Sequence, residues 1–163
     1  MKLNLLRTLV GISAILLLLV VSDTATAQNN KRESRGNRLS KTQVKLIVNR
    51  VEDRVDNFVT NYDKALDRSK LNGSGREDWL NKRAKDMEIA TDELKRGFDR
   101  SDAWIENKDE VRRCLNIASD IDRNMRNYRF GATAESNWAR VRYELNSLAD
   151  VYNLPIVGAS SYN

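Results

Sequence analysis

A chain with no histidine can build neither a Ser-His-Asp triad nor a Cys-His dyad. The same absence removes the Glu-x-x-His pattern of di-iron bundles and haem attachment through C-x-x-C-H. What remains for chemistry is one cysteine, the carboxylates, and the aromatic and arginine side chains. Cys114 as a nucleophile would need an electropositive, partly exposed setting. It stands instead between Val111 and Ala118 at helical spacing, on an apolar stripe, which reads as a small buried hydrophobe. Two carboxylates flanking a cleft could hydrolyse a glycoside, and the candidates are Asp86, Glu88, Asp92, Glu93, Asp120 and Asp122. All lie in ordinary helical sequence of a chain that is 31% charged, where such pairs arise by default. No D-x-[DN]-x-[DN]-G loop offers a calcium site. The side chains therefore assign no catalytic, cofactor-binding or metal-ligating residue, and the chain reads as a non-enzyme.

Binding chemistry has two candidates. Trp79, Trp104 and Trp138 could form a platform for a carbohydrate or aromatic ligand, but Trp138 falls on a core stripe and Trp79 beside one, so packing accounts for them first. Asp-Arg dipeptides recur at Asp53-Arg54, Asp67-Arg68, Asp99-Arg100 and Asp122-Arg123. Flanking the stripes, they predict inter-helix ion pairs of the kind that fix register in coiled coils. The sharper alternative is an arginine cluster for phosphate or an acidic polymer.

Helices must position all of these. In residues 42 to 69, Val44, Val48, Val51, Val55, Phe58, Tyr62 and Ala65 alternate spacings of four and three, which places them on one stripe. At about 1.5 Å per residue the helix is on the order of 40 Å long. Three further stripes follow: Leu80, Ala84, Met87, Thr91, Leu94 and Phe98; Val111, Cys114, Ala118, Ile121, Met125 and Tyr128; and Trp138, Val141, Leu145, Leu148 and Tyr152. Ser74 with Glu77, and Asn107 with Glu110, have the spacing of capping boxes. Trp104 and Ile105 are an apolar pair in a polar connection and predict a lid on one end of the core. Asn153 and Pro155 stop the last helix. The expected fold is all-α, an antiparallel up-down-up-down four-helix bundle over residues 42–153 with coiled-coil-like packing, followed by a loose C-terminal tail, 154–163.

The chain's beginning has a different character. Lys2 and Arg7 flank an apolar run from Leu9 to Val21 that leads into Ala25-Thr26-Ala27, which reads as a signal peptide, 1–27. The run is shorter than the roughly 20 apolar residues that span a bilayer, so no transmembrane segment is expected after cleavage. Residues 28–41 are a basic linker, expected to be disordered, and together with the leader they carry the chain's net +5. Residues 42 to 163 are then close to neutral, which argues against nucleic acid and leaves a weak contact with an anionic surface through the linker. A single cysteine excludes an intramolecular disulfide.

The segments ALDRSKLNGSGRED (65 to 78) and ATDELKRGFD (90 to 99), the run Ile121-Asp122-Arg123-Asn124-Met125, and Trp138 with Leu145, Leu148, Ala149, Tyr152 and Asn153 resemble a family of functionally uncharacterised, exported bacterial α-helical proteins. The resemblance implies a helical domain of bacterial origin, periplasmic or extracellular, and brings no activity or cofactor. The expected role is an interaction or scaffold module with an unknown protein or envelope partner; the alternative is a small-ligand or chaperone-like binder.

Overall fold

A computed structural model describes residues 39–159; the expected signal peptide, the linker as far as residue 38 and the last four residues lie outside it. The described residues form α1 (Lys41–Asp67), α2 (Gly75–Arg100), a 3-10 turn (Trp104–Asn107), α3 (Lys108–Asn127) and α4 (Ala132–Val151), with no strand among them. The molecule is all-α. Helix α1 packs chiefly on α2 and α4, α2 also on α3, and α3 also on α4. None of these helices is long and apolar enough to cross a membrane.

The four stripes make one core. Val44, Val48, Val51, Val55, Phe58 and Tyr62 are buried as their spacing predicts, but Leu66 and not Ala65 completes the series. A straight helix drifts backwards by about 20° for every seven residues of a four-three repeat, so a final step of four brings the stripe back under its partners. The α2 and α4 stripes are buried throughout, while on α3 Tyr128 is only half-buried. Phe58 stacks on Tyr62 and meets Trp138, and Phe130 closes edge-on against Tyr62.

Helix ends show where local chemistry prevailed and where packing did. Ser40 and Gln43 form a full capping box that starts α1 at Lys41, inside the stretch expected as linker. Ser74 accepts from the Glu77 amide, but Glu77 reaches one residue further and accepts from the Gly73 N–H at 2.6 Å. Asn107 does not cap α3 with its side chain. Its amide turns towards the Trp104 carbonyl, and its oxygen lies where a Cβ on Gly97 would meet it at 3.0 Å. Gly97 thus gives a buried asparagine room beside α2. Of the expected lid pair, Trp104 packs edge-on against Tyr152, whose hydroxyl donates to the Trp104 carbonyl at 2.6 Å; Ile105 stays exposed. The start of the expected loose tail is also packed: Leu154 and Val157 are buried, and Asn146 bonds both the N–H and the carbonyl of Val157.

Candidate functional site

The surface feature that organises the charges is α1, whose two flanks carry opposite signs. Towards α2, Lys45 pairs with Asp99 at 2.7 Å and Glu52 with Lys95. Between and beyond those pairs, Asp56 shares its surroundings with Glu52, Glu88, Asp92 and Asp53. Partial burial first, then these like charges, holds the Asp56 carboxyl above the ordinary range.

Towards α4 the sign reverses. Ile47, Arg54, Asn61 and Arg68 recur every seven residues, so they follow one line down the helix. Arg50 pairs with the buried Glu144 at 3.0 Å. Below that pair, Arg54 and Arg140 flank a hollow with Tyr143, and at the end of the seam Lys64, Arg68 and Arg129 surround another at the start of α4. Arg129 reaches Glu135 at 3.8 Å. Among the described residues, no ion pair engages Arg54, Lys64, Arg68 or Arg140. At the opposite end of the seam a hollow of about 380 Å³ is lined by Leu39, Ile47, Tyr143, Ser147, Asp150 and Val151. Tyr143 is 71% exposed between that apolar hollow and the cations.

The residues singled out for chemistry fall elsewhere. Cys114 is fully buried, and burial pushes its thiol up to about 12. Asp86 pairs with Lys82 and Arg83, and these hold its carboxyl below the usual range. Asp120 pairs with Arg83, and Glu93 with Arg113. Glu88 and Asp92 stand in the crowded acidic flank, apart from any hollow described above. Among the described residues, no group of His, Cys, Asp or Glu is arranged to hold a metal ion. Trp138 is buried, Trp104 is a lid, and the Arg76 and Arg83 guanidinium groups lie 5.4 and 6.0 Å from the centre of the Trp79 ring.

The Asp-Arg dipeptides form fewer inter-helix pairs than expected: Asp99 and Asp122 do, while Arg54 and Arg68 carry none. Asp122 is the case that sequence could not supply. Its carboxylate is 1% exposed, accepts from Trp138 Nε1 at 2.9 Å and Arg142 at 3.1 Å, and lies 2.8 Å from an Arg126 nitrogen whose N–H is not aimed at it. Gly158 covers it, since a Cβ there would approach its second oxygen to 3.4 Å. The neighbouring Arg123 reaches only Asp120, at 3.8 Å.

No family model, curated protein or solved structure matches this chain. A seam of exposed cations that form no ion pair among the described residues, with an apolar hollow at one end, can bind, orient and release an acidic surface.

Proposed function

We propose that this protein is a non-enzymatic docking module, belonging to an exported bacterial family and working in the periplasm or outside the cell. The observation that carries this reading is the α1/α4 seam, where Arg54, Lys64, Arg68 and Arg140 stand exposed without carboxylate partners among the described residues. Unpaired surface cations are free to exchange water for an acidic partner and steer its approach.

An antiparallel up-down-up-down bundle with coiled-coil-like crossings would hold the seam straight. Supporting that topology, Lys45 near the start of α1 meets Asp99 near the end of α2, and Glu52 meets Lys95. Arg50 reaches Glu144 while Phe58, further along α1, reaches Trp138, earlier in α4. Arg83 and Glu93 of α2 meet Asp120 and Arg113 of α3 in the same reversed sense.

The small-ligand alternative has less support. Val51, Phe58, Met87, Cys114 and Leu145 are buried at the centre of the core and line none of the hollows described. The test is photocrosslinking in the expressing cell from Tyr143→p-benzoylphenylalanine. A discrete adduct that disappears in the Arg54→Gln/Arg68→Gln/Arg140→Gln background supports the docking reading; no adduct, or one indifferent to those changes, contradicts it.

A further inference from the structure

Resting on the docking reading above, we propose that the partner is a second copy of this chain, whose acidic α1/α2 flank seats against the basic α1/α4 seam of the first. The two surfaces are complementary in sign and similar in length. The basic side runs from Arg54 to Arg68, about 21 Å of helix, and the acidic side from Glu52 to Asp63, about 17 Å. Asp56 and Asp63 have no ion pair among the described residues, nor do Glu88 and Asp92 near Asp56. Partial burial first, and then the like charges of Glu52, Glu88, Asp92 and Asp53, hold the Asp56 carboxyl above the ordinary range, and arriving guanidinium groups would relieve the repulsive part.

Two copies can approach without net repulsion, because residues 42 to 163 hold equal numbers of Lys plus Arg and Asp plus Glu. Both surfaces lie on the same helix, so a seam-to-flank contact is heterologous. The first copy keeps its acidic flank free and the second its basic seam, and association continues into open chains rather than stopping at a symmetric dimer. Because the contact is made of exposed charges, it is salt-sensitive.

The experiment is sedimentation velocity on protein expressed from the full sequence, with two neutralised variants. One carries Arg54→Gln/Arg68→Gln/Arg140→Gln; the other carries Asp56→Asn/Glu88→Gln/Asp92→Asn. All the substituted side chains are exposed or half-buried surface groups, and circular dichroism checks that helicity is kept. The wild type should form species that grow with concentration at about 0.02 M salt and weaken at least roughly tenfold at about 0.5 M. Each variant alone should be monomeric. Their equimolar mixture should form a dimer that grows no further, because only one native contact survives in it.

Wild-type protein that stays monomeric at low salt overturns the proposal, as does association that either variant leaves intact. A mixture that stays monomeric also overturns it, since the two surfaces would then not meet each other. If the copies fail to associate while the Tyr143 adduct persists with the mass of a different partner, the second-copy inference falls and the docking reading stands. If the adduct is absent too, both fall.

Discussion

The indole N–H of Trp138 on α4 donates to the carboxylate of Asp122 on α3 at 2.9 Å, both side chains buried. That bond ties the fourth stripe to the third where α1's Phe58 also touches Trp138. It uses a carboxylate that is 1% exposed, neutralised by Arg126 and Arg142 from the rim.

Asp122→Ala should therefore destabilise the domain by about 2 kcal/mol, because it leaves a buried indole N–H without its acceptor and removes the anchor of two arginines. The two guanidinium groups are 56% and 40% exposed, and water rescues them, which keeps the loss below that of a fully buried pair. Asp122→Asn keeps an acceptor for Trp138 and should cost about half as much. Urea denaturation measures both; a change within about 0.5 kcal/mol for the alanine variant would show that the cluster does not hold α3 to α4.

Replacing a helical glycine by alanine ordinarily stabilises by about 1 kcal/mol. At Gly97 the new methyl meets the Asn107 oxygen at 3.0 Å, and Asn107 is buried against the helix. Gly97→Ala should thus lose that gain and destabilise by roughly 1 kcal/mol. In an Asn107→Ala background the same change should stabilise, a reversal of sign that thermal melts can read. Equal effects in the two backgrounds would mean that the contact does not govern the site.

The Tyr62 hydroxyl is buried and has no hydrogen-bond partner among the described residues. Burial alone drives its ionisation far above the ordinary tyrosine range. Tyr62→Phe keeps the stack on Phe58 and removes an unmet donor, so it should stabilise by about 1 kcal/mol. A destabilisation of that size would reveal an acceptor for the hydroxyl.

How much of this was legible beforehand varies by residue. Val44 to Tyr62 could be read because a stripe is local: six side chains at fixed spacing report their common face whatever they pack against. Asp122 could not. Its dipeptide points to Arg123, yet its partners are Arg126 one turn on and Arg142 and Trp138 from another helix, and only the packed fold brings those together. Asn107 failed as a cap for the same reason, since the room beside Gly97 belongs to a neighbouring helix. The basic seam lay half in view. Arg54 and Arg68 lie two seven-residue steps apart on one line, but that Arg140 stands beside Arg54 depends on which helix lies beside which.

Asp56 gives the pH dependence. A carboxyl whose folded pKa is raised binds its proton more tightly in the folded state, so stability falls as pH rises through the window just above the unfolded aspartate value, and the penalty is complete at neutral pH. Asp56→Asn should stabilise at pH 7 by a few tenths of a kcal/mol, the scale of exposed charge interactions. The advantage should shrink as pH drops through the window just above the ordinary aspartate value and be gone below it. An advantage that is independent of pH would mean that like-charge crowding is not its source.

The central claim is that a partner covers the α1/α4 seam, and hydroxyl-radical footprinting tests it most directly. Tyr143 beside the seam is 71% exposed, whereas Trp79 on α2 and Ile105 in the 3-10 turn are exposed away from it. Oxidation would be compared between the protein in its native cellular setting and the purified protein at high dilution. Docking predicts that Tyr143 reacts several-fold more slowly in place, with Trp79 and Ile105 unchanged; equal reactivity of Tyr143 in both settings, or protection of Trp79 instead, would contradict it.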